Sequence, residues 1–369
     1  MRILYFSTDY STHDHRFLSA LANTEHEVYY LRLERNARQV EDRPVPEQIQ
    51  QVPWAGGSRA FRWRDTLGLA GALRGVIRDV KPQLIHAGPV QSCAFLTALT
   101  GFRPLLTMSW GFDLMQDAER NAWWRWVTGY TLRRSAFFVS DAEVTRSRAV
   151  AYGMEVGCTA VFPWGVDLAH FKPQQKRAGP RKARKAAFVL FCNRSWEPRY
   201  GVDVLARAFV RVAEKRPDVT LLLLGDGSQA QDIRQILSSG VMAQRVQFAG
   251  HVSQTELPRW YGMADLYISP SHVDGSSVSL MEALACGLPA LVSDIQANKE
   301  WVADGVNGWL FPDGDAEALA ARILDVMDRH ADLQAAGRAA RQTAEHKADW
   351  SRNFGVLLRA YEQALQAAS

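Results

Sequence analysis

The sequence predicts an α/β protein made of two Rossmann-like domains, and three observations carry that prediction. Its 369 residues exceed one ordinary domain and suit two of about 150 to 200 residues each. Short apolar runs bounded by turn residues recur along the chain with helical stretches between them, the alternation expected of a parallel sheet covered by helices on both faces. Most runs in the second half are continuously apolar, as a strand buried on both faces must be.

Taken in order, RILYFS, EVYYLRL, LIHAG, PLLTMSW, AFFVSD and AVFPWGV supply the strands of a first domain, residues 1–171. The stretch KPQQKRAGPRKARKAAF follows, in which Lys172, Lys176, Arg177, Arg181, Lys182, Arg184 and Lys185 meet no acidic residue. Such a run reads as a solvated linker, residues 172–187. A second domain, residues 188–348, repeats the scheme with AFVLFCN, TLLLLGD, VQFAGHV, LYISPS, ALVSDI and GWLFP. In the final segment, 349–369, Phe354, Leu357, Leu358, Tyr361 and Leu365 fall at helical spacing. That helix has a face to bury and is a candidate to cross back to the first domain.

A hydrophobic share of 47% and a charged share of 22% are ordinary for a globular chain and exclude the disordered and fibrous classes. Cys93, Cys158, Cys192 and Cys286 stand apart from one another, which speaks for a reducing compartment rather than a zinc site or a disulfide framework. The opening MRILYFSTDY turns polar too soon for a signal peptide, and no run approaches the roughly 18 apolar residues of a membrane span. A cytoplasmic protein is expected, with peripheral contact to the inner face of a membrane left open. The net charge of +4 suits anionic small molecules or lipid headgroups and not a nucleic-acid grip, which needs a concentrated basic face.

The stretch PSHVDGSSVSLMEALACGLPALVSD, from Pro270 to Asp294, concentrates the chemistry. In an open parallel sheet, ligands bind beyond the carboxyl ends of strands, where loops lead into helix N-termini rich in unsatisfied N–H groups. Ser276 or Ser277 can cap a helix that Gly287 and Pro289 terminate. Gly275 lets backbone approach a ligand. Glu282 falls inside the helix and needs donors, since an unpaired buried carboxylate is costly.

Asp274 and Glu282, with the ALACGLPALVSDIQANKEWVADGVNGWLFP that follows, resemble the E(x7)E signature of the retaining GT-B glycosyltransferases. VFPWGVDLAHFKP, CNRSWEPRYGVDVLARAF and LLLLGDGS are similar to further segments of that family, in the family's order. The resemblance implies a GT-B fold, with an acceptor-side first domain, a nucleotide-sugar-binding second domain and a donor cleft between them. It also implies transfer of a sugar from a nucleotide-diphosphate sugar to an acceptor hydroxyl, with retention and without metal or cofactor. Arg194 and Arg199 would hold the donor diphosphate, Asp274 the sugar and Glu282 the ribose. Gly275, Ser276, Ser277, Val278, Gly225 and Asp226 would complete the donor site. The acceptor is left open, a lipid-linked sugar or polysaccharide precursor being compatible. An epimerase of similar fold and a non-catalytic sugar-nucleotide binder are the alternatives.

The first domain departs from the family. Its first loop reads STDYSTHDHRFLSAL, where His13, Asp14, His15 and Arg16 either face the acceptor or cap a helix at Phe17. In TMSWGFDL, Trp110 stands where many relatives have a His contacting the sugar. Asp113 or His86 could supply a polar partner, though His86 reads equally as a buried strand-end residue. Asp313-Gly314-Asp315 imitates a metal signature but precedes AEALAARIL, so Asp315 reads as a helix cap. In RAFRWRDTLGLAGAL, Arg59, Arg62 and Arg64 interleave with Phe61 and Trp63, just before a helix that Asp65 can cap. That pattern fits weak contact with an anionic membrane.

Overall fold

A computed structural model describes residues 1–35, 41, 43–174, 187–238 and 240–367. These residues form two units, Met1–Trp164 with Arg352–Ser369, and Gly165–Ser351. The first unit therefore ends seven residues before the expected position 171, because Val166 already pairs with Asp349 of the second. Lys172 is described, whereas Lys176, Arg177, Arg181, Lys182, Arg184 and Lys185 of the expected linker lie outside the described residues.

In the first unit β1 (Arg2–Thr8), β2 (Glu27–Leu33), β3 (Gln50–Gln51), β4 (Leu84–Ala87), β5 (Leu105–Met108), β6 (Phe137–Ser140) and β7 (Thr159–Val161) form one sheet in the order β3-β2-β1-β4-β5-β6-β7. In the second, β8 (Phe188–Cys192), β9 (Val219–Leu224), β10 (Val246–Gly250), β11 (Leu266–Ser269), β12 (Ala290–Ser293) and β13 (Gly308–Phe311) run β10-β9-β8-β11-β12-β13. All pairings are parallel. Every residue of β4, β5, β6, β11 and β12 is buried, which accounts for their unbroken apolar character. Each sheet reverses its order beside its first strand, between β1 and β4 and between β8 and β11. Open α/β sheets bind ligands at such a switch point.

Helices 202–215 and 316–328 pack on the β8–β9 side of the second core through Leu205, Phe209, Val212, Leu319 and Ile323. Leu280, Met281 and Leu284 of helix 278–285 fill the other face. The last helix, Trp350–Gln366, buries Leu357, Ala360, Tyr361 and Ala364. Tyr361 shares a 2.8 Å hydrogen bond with His86 of β4, which ties this helix into the first unit.

The helix after β1 begins at Thr12, not Phe17. Ser11 and Asp14 form a reciprocal capping box that starts it early. Helix 66–80 buries Leu69, Leu73 and Val76, but Asp65 makes no side-chain cap. Its carboxylate lies 3.4 Å from Arg59 instead.

Candidate active site

The carboxyl ends of β8 and β11 bring Arg194 and Asp274 together. One terminal nitrogen of Arg194 donates to Asp274 Oδ2 at 2.6 Å, and the other donates to Ser277 Oγ at 2.6 Å and Ser279 Oγ at 3.0 Å. Its Nε is buried and has no hydrogen-bond partner among the described residues. The guanidinium lies over the Tyr200 ring, 4.3 Å from its centre, and only 9% of Arg194 is exposed. Burial disfavours the charge, but Asp274 alongside holds the guanidinium protonated above the ordinary range. Burial pushes the Asp274 carboxyl up from its ordinary value, against the pull of Arg194, the Gly275 N–H, Arg199 and Ser271.

Ser277 caps helix Val278–Ala285 by accepting from Leu280 N, while Ser276 Oγ accepts from the Trp301 indole at 2.6 Å. The two serines thus divide their work, and Ser277 joins the helix N-terminus to Arg194. Gly201, at φ +60, sits where the 198–200 turn passes beneath Pro270, and a Cβ there would collide with the Pro270 carbonyl. This close approach carries Arg199 to the same edge, where its carbonyl accepts from His272 N at 2.9 Å.

Gly225 and Asp226 brace the Arg194 loop. Asp226 O accepts from Trp196 N at 3.0 Å and from Ser195 Oγ at 3.2 Å. Gly225 adopts φ +94, with room for a Cβ only 3.0 Å from Arg194 O. Glu282 lies deeper, 2% exposed, and its Oε2 accepts from the Tyr261 hydroxyl at 2.8 Å. Burial and the neighbouring Glu282 push that hydroxyl well above its ordinary range, so it remains a donor. Glu282 therefore answers first to Tyr261, and Asp274 first to Arg194, with the two acids on different layers of the site.

Sequence reasoning missed Tyr261, Tyr200, Ser279 and His272. Ser279 lies in the SSVS run, two residues beyond Ser277 and on the same helix end. His272 Nδ1 is 2.6 Å from Asp313 Oδ1, so the first Asp of the DGD turn reaches the site edge. Asp315 caps helix 316–328 by accepting from Glu317 N and Ala318 N at 2.9 Å each.

In the first unit, Asp14 is fully buried as a cap, and His15 meets Tyr10 and Ser19. The His13 ring lies 5.1 Å from Trp110, whose indole Nε1 is buried with no hydrogen-bond partner among the described residues. Asp113 accepts from Ser109 Oγ and the N–H groups of Val90, Trp110 and Leu114. Burial pushes it up to about 6. It fastens the loop after β5 rather than facing a ligand. His86 is buried, between Tyr361 and Met108.

Two family descriptions match the chain, Glycosyl transferase 4-like over residues 2–142 and Glycosyl transferases group 1 over residues 186–329. The chain belongs to this glycosyltransferase family. It is 34% identical over 212 residues to a phosphatidyl-myo-inositol mannosyltransferase of Mycolicibacterium smegmatis, covering 56% of this chain and 53% of that protein. The match thus spans about half the length of such relatives. A glycogen synthase of Mycobacterium tuberculosis aligns over 95% of this chain and 92% of its own at 26% identity. Among solved structures, sucrose-phosphate synthase of Thermosynechococcus elongatus is 18% identical, with all of both chains covered and a TM-score of 0.81. Anabaena HepE in complex with UDP, also 18% identical, covers 98% of this chain and 100% of its own, with a TM-score of 0.76. The fold is GT-B.

Proposed function

We propose that this chain transfers a sugar from a nucleotide-diphosphate sugar to an acceptor hydroxyl, with retention of anomeric configuration and without a metal ion. The observation that carries the reading is the Arg194 cluster at the switch point of the second sheet, joined through Ser277 to a helix N-terminus. A fixed guanidinium and a positive helix end favour a diphosphate and stabilise the charge that grows on it as it departs. Arg199, on the adjoining turn, adds a second positive charge. Asp274 faces the sugar and Glu282 the ribose. HepE, crystallised with UDP and with UDP-glucose, supports the same donor class.

In the proposed step the acceptor oxygen attacks the anomeric carbon on the face the phosphate leaves. The bond between that carbon and the phosphate oxygen breaks, and the departing phosphate takes the hydroxyl proton. No side chain need become covalently attached. The acceptor is proposed to be a lipid-linked sugar or polysaccharide precursor, reached by a protein resting on the inner face of the membrane.

Incubation with a panel of nucleotide sugars and a mixed acceptor pool tests this, with nucleoside diphosphate release and product anomeric configuration as readouts. Release that survives EDTA, with retained configuration, is expected. Loss on chelation that magnesium restores would overturn metal independence. Tight donor binding without release would favour a non-catalytic binder, the reading that Trp110 supports in the place the resemblance gives to a histidine.

A further inference from the structure

Beside the Arg194 cluster, the second unit buries polar side chains that the transfer step does not itself use. Tyr261, 1% exposed, accepts from Asn193 Nδ2 at 2.9 Å, and its hydroxyl lies 2.8 Å from Glu282 Oε2 and 3.0 Å from the Ser279 carbonyl. A phenol carries one proton. The carboxylate, charged and nearer than the carbonyl, is the stronger claimant, and the Asn193 amide occupies the accepting side of the same oxygen. Turned this way, Asn193 leaves its Oδ1 buried with no hydrogen-bond partner among the described residues, a cost that a core built for stability alone avoids. Asn193 directly precedes Arg194, which donates to Ser279 Oγ at 3.0 Å. One short loop after β8 thus reaches Glu282 through Tyr261 and the start of its helix through Arg194.

The Tyr261 ring is held as firmly as its hydroxyl. Its centre lies 5.0 Å from that of Phe191 and 6.1 Å from that of Phe171, both edge to face. A side chain with two torsions, wedged between aromatic rings, keeps its oxygen at one point, whereas Glu282 has three torsions to settle. Anchoring one carboxylate oxygen sets the plane of the group and so aims the other.

Given the ribose contact proposed above for Glu282, on which this role depends, we infer that Tyr261 is a positioning residue that makes the site selective for ribonucleotide over deoxyribonucleotide carriers. An aimed carboxylate is left unpaired by a ligand that lacks the hydroxyls, and that is what rejects such a ligand. A carboxylate free to turn finds other donors when the hydroxyls are missing and must be ordered when they are present. Both effects shrink the discrimination.

Calorimetric titration of the full chain tests this, with UDP and GDP each set against its 2′,3′-dideoxy form and the base that binds more tightly used for the comparison. The wild type should favour the ribonucleotide by about ten-fold or more. Tyr261→Phe, which keeps the ring, should bring that ratio below about three-fold, chiefly by weakening the ribonucleotide. Asn193→Leu should narrow the ratio in the same direction and serves where Tyr261→Phe folds poorly. Tyr267→Phe removes a neighbouring buried hydroxyl that donates to Ser279 Oγ at 2.8 Å, and should leave the ratio at its wild-type value. A ratio unchanged in both Tyr261→Phe and Asn193→Leu, or narrowed equally by Tyr267→Phe, would overturn the positioning role and leave the donor reading standing. A wild type that binds ribo and dideoxy forms equally would overturn the ribose contact of Glu282 and this role with it. Failure to bind either diphosphate would overturn the proposed function as well.

Discussion

Arg194 and Asp274 act as a pair, and substitutions should be judged on both. A charge-assisted hydrogen bond is worth roughly 1.5 to 3 kcal/mol, so Arg194→Ala should lower kcat/KM by ten-fold or more. It also strands a carboxylate whose side chain is only 15% exposed, and breaking a buried pair from one side costs about 3 to 5 kcal/mol. The Ala variant should therefore melt early. Adding Asp274→Ala should restore much of the stability and none of the activity, a separation that thermal unfolding and steady-state kinetics measure together. Equal melting of single and double variants would mean that the pair carries little weight in the fold. Glu282→Gln keeps an oxygen for the Tyr261 hydroxyl and should weaken donor affinity. Asp274→Asn should reduce turnover more than affinity. Identical changes in kcat and KM for both variants would mean that the roles of the two acids are misassigned.

At the scale of elements, β4 and the last helix meet through His86 and Tyr361. Burial drives His86 from 6.5 down to about 3, so the folded chain holds it neutral. Its contribution is present above pH 6.5 and is lost as pH falls toward 3, at about 1.36 kcal/mol per unit. Asp113, raised from 3.8 to about 6, has the opposite sign, its contribution fading as pH rises from 3.8 through 6. The two windows overlap, so only the difference between variants is informative. Between pH 7 and 5 the wild type should lose about 2 kcal/mol relative to His86→Gln, read from denaturant midpoints. A parallel response of the two chains would mean that His86 is already charged when folded.

The strands were legible in the sequence because burial on both faces forces unbroken apolar runs, and helix starts were legible where Ser277 and Asp315 cap them. The loop carrying Asp274, Ser277 and Glu282 was legible because small polar residues precede an apolar helix. His272 and Tyr261 were not, since each acquires its meaning from a partner far along the chain, Asp313 for the first and Glu282 for the second. The exit from the first unit was misplaced for the same reason, as only the pairing of Val166 with Asp349 defines it.

Across the whole molecule, Arg59, Arg62 and Arg64 are exposed, and Asp65 partly offsets Arg59. Each basic residue near an anionic leaflet contributes about 1 kcal/mol, enough for reversible contact and not for anchoring. Co-sedimentation with anionic vesicles should weaken with salt and disappear when all three become Ser, whereas salt-independent binding would point elsewhere. The chain enters the second unit at Gly165 and leaves it near Ser351, where Val166 N donates to Ala348 O at 2.8 Å and Trp350 N donates to Val166 O at 3.3 Å. The second unit is thus an insertion, continuous in sequence, while the first is assembled from two pieces that its own gene segment cannot supply together. Dissection should be lopsided: a 165–351 fragment should fold and bind nucleotide, and a 1–164 fragment should precipitate until 352–369 is spliced to its end to restore the Tyr361 contact with His86.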